Sequence, residues 1–296
     1  MESLTNVPPL IVIVGQTASG KSELALQLAK RYNGEIICAD SRTVYRGMDI
    51  GTAKPSQQDQ KLVPHHLLDI AEPDQPITAA DFKQRAQERM QDIASRGKTA
   101  FLVGGTGLYI DAVLFNFSFS SSVLPGIRQE LNKKSVQELQ TMLLKKGLAL
   151  PENTKNPRHL IRQLETGGVS NQKTALRQNT LVLSTPFLDQ PTLKERLTRR
   201  LNGMLKQGLE KEVQTLVARF GWDCPALQTI GYQEFKPYFA GEVTLGEVKT
   251  AVVQHSIQYA RRQKTWFKRN RHLHLIYKKE DAVDLITSLL NKNYIA

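Results

Sequence analysis

Cysteine is scarce in this sequence. Only Cys38 and Cys224 occur among 296 residues, far apart and in no CxxC pair. That excludes a disulfide framework and argues against a cysteine zinc site. Long apolar runs are missing as well. No stretch of about 18 apolar residues occurs, so no membrane-spanning helix is expected. Residues 1–9 carry no basic segment leading into an apolar one. No secretory leader is therefore expected, and a cytoplasmic location is. There is no internal repeat and no low-complexity tract. Acidic residues are absent from one long stretch. Residues 248–279 contain none, while holding Lys249, Arg261, Arg262, Lys264, Lys268, Arg269, Arg271, Lys278 and Lys279.

The rest of the composition is that of a folded protein. Hydrophobic residues make up 40% and charged ones 23%, which excludes a disordered tail. A chain this long buries a core without staples. The formal net charge is +12, which bears on partners and not on fold. In the acid-free stretch Tyr259, Trp266, Phe267 and Tyr277 lie among the basic groups. That mixture suits phosphate contacts combined with base stacking. The alternative is a solvated basic helix packed by its aromatics, and Trp266 fits a core position as well as a stacking platform.

Leu10–Val14 is a short β-branched apolar run and reads as a buried parallel strand. Residues 22–32 follow as an amphipathic helix with Leu24, Leu28 and Tyr32 on one face. Residues 35–38 read as a second strand, completing a right-handed βαβ unit. Residues 78–95 read as a helix, with Thr78 and Asp81 as a capping box and Gly97 as its stop. Residues 99–103 are another apolar strand, running into Gly104-Gly105-Thr106-Gly107. These are the parts of a doubly wound α/β domain. Residues 117–126 are serine-rich and read as a connector. Residues 127–178 carry helical segments punctuated by Asn153, Asn156, Pro157, Gly167 and Gly168. A strand is expected at 181–183. Leu193, Leu197, Leu201, Leu205 and Leu209 recur every four residues and predict one long helix. Residues 250–270 and 281–291 predict two more. The expected fold is α/β, a P-loop NTPase-like doubly wound parallel sheet with a small, mainly helical insertion domain. Expected boundaries are 1–116 for the first part of the core, 117–180 for the insertion, and 181–296 for the second part with its basic C-terminal helices.

Gly15-Gln16-Thr17-Ala18-Ser19-Gly20-Lys21-Ser22 fits GxxxxGK[ST]. The glycines let backbone N–H groups curl around a phosphate chain, and the next helix adds its positive dipole end. Lys21 supplies a point charge and Ser22 a hydroxyl for Mg2+. A chance match in a chain of ordinary composition has odds of about 1%. The strand before and the helix after are the context the motif requires. Phosphate binding is therefore expected at all eight residues. Most such loops hold ATP or GTP, but the same cradle fits any diphosphate. Asp40 lies just past the second strand, where strand ends line the ligand crevice. It is expected to face the phosphate site as a Mg2+ ligand, a general base or a loop cap.

Beyond Asp40 the run Ser41-Arg42-Thr43-Val44-Tyr45-Arg46-Gly47-Met48-Asp49-Ile50-Gly51-Thr52-Ala53-Lys54-Pro55 is unusual for a generic loop. Later runs keep the same order: Pro64 to Asp69, Val103 to Tyr109, Arg158 with Arg162 before Thr166-Gly167, Gly208-Leu209 with Glu212-Val213, Ile230-Gly231-Tyr232, and Arg262-Gln263 with Thr265-Trp266-Phe267. Together with the phosphate loop, this pattern resembles the bacterial tRNA dimethylallyltransferases over residues 10–270. The resemblance implies transfer of a dimethylallyl group from dimethylallyl diphosphate to N6 of adenine 37, next to the anticodon of tRNA, with release of pyrophosphate. The loop then holds the donor's diphosphate, with Lys21 and Mg2+ at Ser22 steadying the leaving charge. Asp40 takes the N6 proton as general base, and Thr106 steadies the reacting centre. RNA contacts are implied at Asp40, Ser41, Arg42, Thr43, Thr106 and Arg128. Further ones are implied at Arg158, His159, Leu160, Ile161 and Arg162, and at Arg262, Gln263 and Trp266. The implied partners are the tRNA anticodon stem-loop and dimethylallyl diphosphate, with the protein a monomer. The target adenine has to leave its stack to reach such a site. The chain departs from the family pattern at Thr43, often glutamine, at Gln233, usually basic, and at the shortened Asn156-Pro157-Arg158.

Three rival readings make distinct demands. An adenylate isopentenyltransferase shares the chemistry but takes a free nucleotide, and the basic C-terminal segment favours the RNA acceptor. An NTP-hydrolysing kinase or ATPase is expected to end a strand in an acidic residue, whereas the 99–103 strand ends in glycines. A non-catalytic RNA-binding P-loop protein has no use for Asp40. His65-His66 is a weak metal candidate, because neighbours on a strand point to opposite faces.

Overall fold

The computed structural model describes residues 7–119, 127–168 and 174–294. Two compact units divide the chain, one of Met1–Leu114 with Leu176–Ala296 and the other of Phe115–Ala175. The larger unit is built on six parallel strands: β1 (Leu10–Val14), β2 (Gly34–Ala39), β3 (His65–His66), β4 (Thr99–Gly104), β5 (Thr180–Ser184) and β6 (Leu273–Leu275). Their order across the sheet is β3-β2-β4-β1-β5-β6. Its helices are α1 (Lys21–Arg31), α2 (Gln57–Leu62), α3 (Ala79–Ser95) and α4 (Gly107–Leu114) in the first part of the chain. The smaller unit holds α5 (Ile127–Asn132), α6 (Val136–Lys145) and α7 (Pro157–Thr166). The chain then returns through α8 (Gln190–Lys206), α9 (Leu209–Phe220), α10 (Phe235–Phe239), α11 (Leu245–Phe267) and α12 (Lys279–Tyr294).

The central strands are apolar because both sheet faces are covered. Every residue of β1 is buried. Ile11, Ile13, Ile36, Cys38, Phe101, Val103, Leu181 and Leu183 share a core with Ala25, Leu28 and Ala29 of α1 and Ile286 of α12. α3 packs on β2 and β4 and stacks Phe82 on Tyr109 of α4. A second core gathers Leu193, Leu197, Leu201, Val213, Val248 and Val252 around Met48 and Tyr232. Leu131, Leu139, Leu143, Leu160, Ile161 and Leu164 form the core of the smaller unit. Both cysteines are free and buried. Among the described residues, no helix is long and apolar enough to cross a membrane.

Thr78 and Asp81 form a reciprocal capping box, as anticipated. Asn156 caps α7 with Pro157 in its first turn. Two expectations need correction. The leucine repeat from 193 to 209 is not one helix. Gly208 adopts φ 98, a left-handed conformation that stops α8 at Lys206, so Leu209 opens α9. The basic helix starts five residues earlier than 250, because Thr244 and Glu247 form a capping box that seeds α11 at Leu245; it ends at Phe267, not 270. β3 is a two-residue edge strand with no apolar run to announce it. The connector at 117–126 lies outside the described residues from 120 onward.

Candidate functional site

Strand register builds the site. Ala39 of β2 is level with Gly104 of β4, Gly104 with Val14 of β1, and Val14 with Ser184 of β5. Four turns therefore leave adjacent strands at one height, beginning at Asp40, Gly105, Gly15 and Thr185. This is the carboxyl edge of a parallel sheet, where such folds bind ligands.

The turn after β1 wraps into α1 through Gly20, and no side chain caps that helix. Its first-turn N–H groups are open to an anion, with no side-chain cap among the described residues in competition. Neighbouring elements hold the loop in shape. Ser19 N–H donates to the Gln16 carbonyl at 3.3 Å. Thr185 Oγ1 donates to Ser19 Oγ at 2.7 Å. Gln16 is 2% exposed, and its side chain bonds Ala260 and Leu188, so within the loop it serves as an anchor. Lys21 Nζ donates to the Gln16 carbonyl at 3.3 Å.

A second cation stands beside Lys21. Arg200 of α8 donates to Thr17 Oγ1 at 3.1 Å, and one turn earlier Arg196 donates to the Ala18 carbonyl at 3.4 Å. Burial pulls the Lys21 ammonium down to about 8, with Asp40 opposing and Arg200 adding to the fall. Burial also lowers Arg200, again against the pull of Asp40. Two cations lowered by desolvation, one of them lowered further by the other, gain most from an anionic ligand.

Asp40 occupies the turn after β2, separated from the phosphate loop by the turn that follows β4. Its Oδ1 accepts the Arg42 N–H at 2.8 Å, so the loop-cap role is real, and the second oxygen has no partner among the described residues. Thr106 stitches this turn to the next. Its Oγ1 accepts the Ser41 N–H at 3.0 Å, and its own N–H donates to the Ala39 carbonyl at 3.2 Å. Tyr259 of α11 reaches the Gly105 carbonyl at 3.4 Å. Burial, with Asp40 adding, pushes its phenol up to about 12, so it stays a neutral donor. Thr43 is 5% exposed and its hydroxyl finds no hydrogen-bond partner.

The implied RNA contacts divide. Asp40, Ser41, Arg42, Thr43 and Thr106 lie together at the sheet edge. Arg262 is exposed on α11. Trp266 is half-buried, with its ring edge on Gly107, Nε1 bonded to Asp111 at 3.1 Å and the Arg269 guanidinium over its face. Arg128, Arg158, His159 and Arg162 belong to the smaller unit; Arg158 and His159 are exposed. Glu165 lies 3.6 Å from Arg128 and 3.8 Å from Arg162. Two side-chain assignments fail for Leu160 and Ile161, which are 0% and 2% exposed and serve as the hydrophobic core of that unit. A third fails for Gln263. It is 5% exposed, and both ends of its amide bond the backbone of the sheet-edge turns.

The unusual run from Met48 to Pro55 has a structural cause. Glu212 accepts the N–H groups of Asp49, Ile50 and Gly51 and the Tyr232 hydroxyl. Lys54, nearly buried, is shared by Asp49 and Asp69. His66 pairs with Glu35 and His65 with the Val63 carbonyl, and among the described residues no acidic, histidine or cysteine cluster suits a metal. Sequence reasoning missed Arg200 and Thr185, and offered Tyr259 only as one of the aromatics in the basic stretch. Nothing marks Arg200 among neighbouring arginines except its place four residues after Arg196.

Comparison with known proteins agrees with this arrangement. The IPP transferase family matches residues 43–270. A tRNA dimethylallyltransferase of Bacillus pumilus is 41% identical over 275 residues, covering 88% of this chain and 86% of the relative. One from Roseiflexus is 41% identical over 278 residues, 88% and 90%. The crystal structure of a tRNA isopentenylpyrophosphate transferase from Bacillus halodurans superposes with a TM-score of 0.76 at 35% identity, over 97% of this chain and 98% of that one. A eukaryotic dimethylallyltransferase described as acting on tRNA gives 0.73 at 26% identity, over 88% and 70%. The phosphate loop at the end of β1, the carboxylate level with it at the end of β2 and these matches lead to one conclusion: the chain belongs to the IPP transferase family, as do relatives named tRNA dimethylallyltransferase.

Proposed function

We propose that this chain transfers the dimethylallyl group of dimethylallyl diphosphate to N6 of adenine 37 in tRNA, releasing pyrophosphate. The observation that carries the reading is that one sheet edge holds two turns on either side of the β4 turn, one cationic with open helix amides and one bearing Asp40, whose charge acts on Lys21. A diphosphate belongs in the first turn. Its leaving oxygen gathers charge as the C1–O bond breaks, and Lys21, Arg200 and the first N–H groups of α1 stabilise that charge. N6 of adenine is a weak nucleophile, since its lone pair is delocalised into the ring. It forms the new bond to C1 as its proton passes to the free oxygen of Asp40. The bond of Asp40 to Arg42 N–H and that of Ser41 N–H to Thr106 fix the base in direction.

Mg2+ fits this site in one way. Ser22 is exposed, and among the described residues its hydroxyl has no hydrogen-bond partner and no multi-carboxylate cluster suits a metal, so Ser22 would hold the ion together with donor oxygens and water. Bound there, it would screen charge on the leaving diphosphate. Arg262 and the neighbouring basic residues of α11, with Arg158 and Arg162 of the smaller unit, are proposed to grip the RNA backbone.

A transfer assay tests the reading, using labelled dimethylallyl diphosphate, Mg2+, and either unmodified anticodon stem-loop RNA or AMP. Label on the RNA adenine is the expected result. Label on AMP alone would move the acceptor to a free nucleotide, and ATP hydrolysis without transfer would make the loop an NTP site.

A further inference from the structure

Gln263 touches both halves of the site without lining either. Its Oε1 accepts the Thr17 N–H of the phosphate loop at 2.8 Å. Its Nε2 donates to the Gly105 carbonyl at 3.0 Å, next to Thr106. The fit is close: a Cβ at position 105 would stand 2.3 Å from that nitrogen, so glycine there is what lets the amide reach. Gln16 returns the contact, donating from Nε2 to the Ala260 carbonyl of α11 at 3.1 Å. Ala260 and Gln263 lie three residues apart on the buried side of one helix. Arg261 and Arg262 are exposed on the same turn, and the Arg262 guanidinium sits over the Tyr259 ring at 5.7 Å. One helix therefore carries exposed cations on its outside and, on its inside, the hydrogen bonds of the donor loop and the Gly105–Thr106 turn.

We propose that Gln263 is a positioning residue through which RNA bound on α11 tightens binding of diphosphate in the loop. The inference rests on the function proposed above and extends it. The loop's binding shape needs outside support, since Ala18, next to Thr17, holds φ 60, a conformation that non-glycine residues rarely adopt. Gln263 supplies that support from α11. RNA that orders α11 restricts Gln263, and through it the Thr17 amide, so a diphosphate arriving second loses less conformational freedom. Coupling of this kind is reciprocal: diphosphate tightens RNA by the same factor.

Calorimetric titration of the full chain tests it, with inorganic pyrophosphate as the probe at fixed Mg2+, alone and with saturating anticodon stem-loop RNA. In the wild type RNA is expected to tighten pyrophosphate about tenfold. In Gln263→Met, which keeps the volume and removes both hydrogen bonds, that ratio falls below about threefold. A residue that only stabilised the fold would weaken both titrations alike and leave the ratio unchanged. That result overturns the proposal, as does a ratio of one in the wild type. Gln263→Glu keeps an acceptor for Thr17 and loses the donor to Gly105; the ratio is expected to fall there too, so it serves if the methionine variant does not fold. Failure of RNA to bind the wild type would overturn the proposed acceptor, and this inference with it.

Discussion

Replacing Arg200 by glutamine separates the two roles of its charge. Glutamine still offers Thr17 Oγ1 a donor, so the loop contact at 3.1 Å can persist while the positive charge is lost. With donor bound, a hydrogen bond between charged groups disappears, which is worth about 1.5–3 kcal/mol. That corresponds to roughly a 10- to 150-fold rise in donor KM at pH 7. Without donor the effect is opposite in kind. Arg200 helps to lower Lys21, whose ammonium titrates at about 8, so removing the arginine raises that value. In the wild type kcat/KM for the donor should fall above pH 8 by up to about tenfold per unit, as Lys21 loses its proton. In Arg200→Gln the fall begins at higher pH, so the penalty of the substitution is smaller at pH 9.5 than at pH 7. Initial rates from pH 6.5 to 10 with labelled donor and saturating RNA measure both quantities. A donor KM within twofold of wild type at pH 7, or an inflection that stays in place, would refute the assignment of Arg200 to the diphosphate.

Asp40→Asn should lower single-turnover transfer by about 10²–10⁴ while leaving RNA affinity within about threefold. Asparagine can still accept the Arg42 N–H and keep the turn, but it cannot take a proton. Retention of a tenth of the wild-type rate would remove Asp40 from the base role. Far from the site, the Arg96 guanidinium, with Lys98 and His66, holds the buried Glu35 carboxyl well below its usual range. Its folded value lies below its unfolded value, so its contribution is complete above the ordinary carboxylate value of 4.5 and is lost as pH falls beneath it. Urea midpoints should therefore drop below pH 4.5 in the wild type and drop less steeply there in Glu35→Gln, which is less stable at pH 7. Equal acid slopes in the two proteins would contradict this.

Much of the site was legible because its signals are contiguous. The phosphate loop occupies eight consecutive residues between a β-branched strand and an amphipathic helix, and backbone stereochemistry makes that pattern specific. Asp40 was placed correctly by a single topological rule about strand ends. The Thr78 cap was readable for the same reason, since its hydrogen bonds span three residues, whereas Asn156 was read only as a break between helical segments. The leucine repeat misled because periodicity records which residues are apolar, whereas one left-handed glycine decides where a helix stops. Gln263, Leu160 and Ile161 misled in another way. A motif gives residue identity, and only packing tells which way a side chain points.

By itself the sequence determined the class of the protein: a parallel α/β sheet, a P-loop between strand and helix, and a basic C-terminal helix follow from local pattern and charge. The tertiary structure decided how these parts meet. Parallel register levels four turns from distant strands, and α8 and α11 bring Arg200 and Gln263 against a loop more than 180 residues away in the chain. No local pattern carries that information, because such contacts arise when buried faces close on one another, and the partners share neither a helical turn nor a strand pair before they fold.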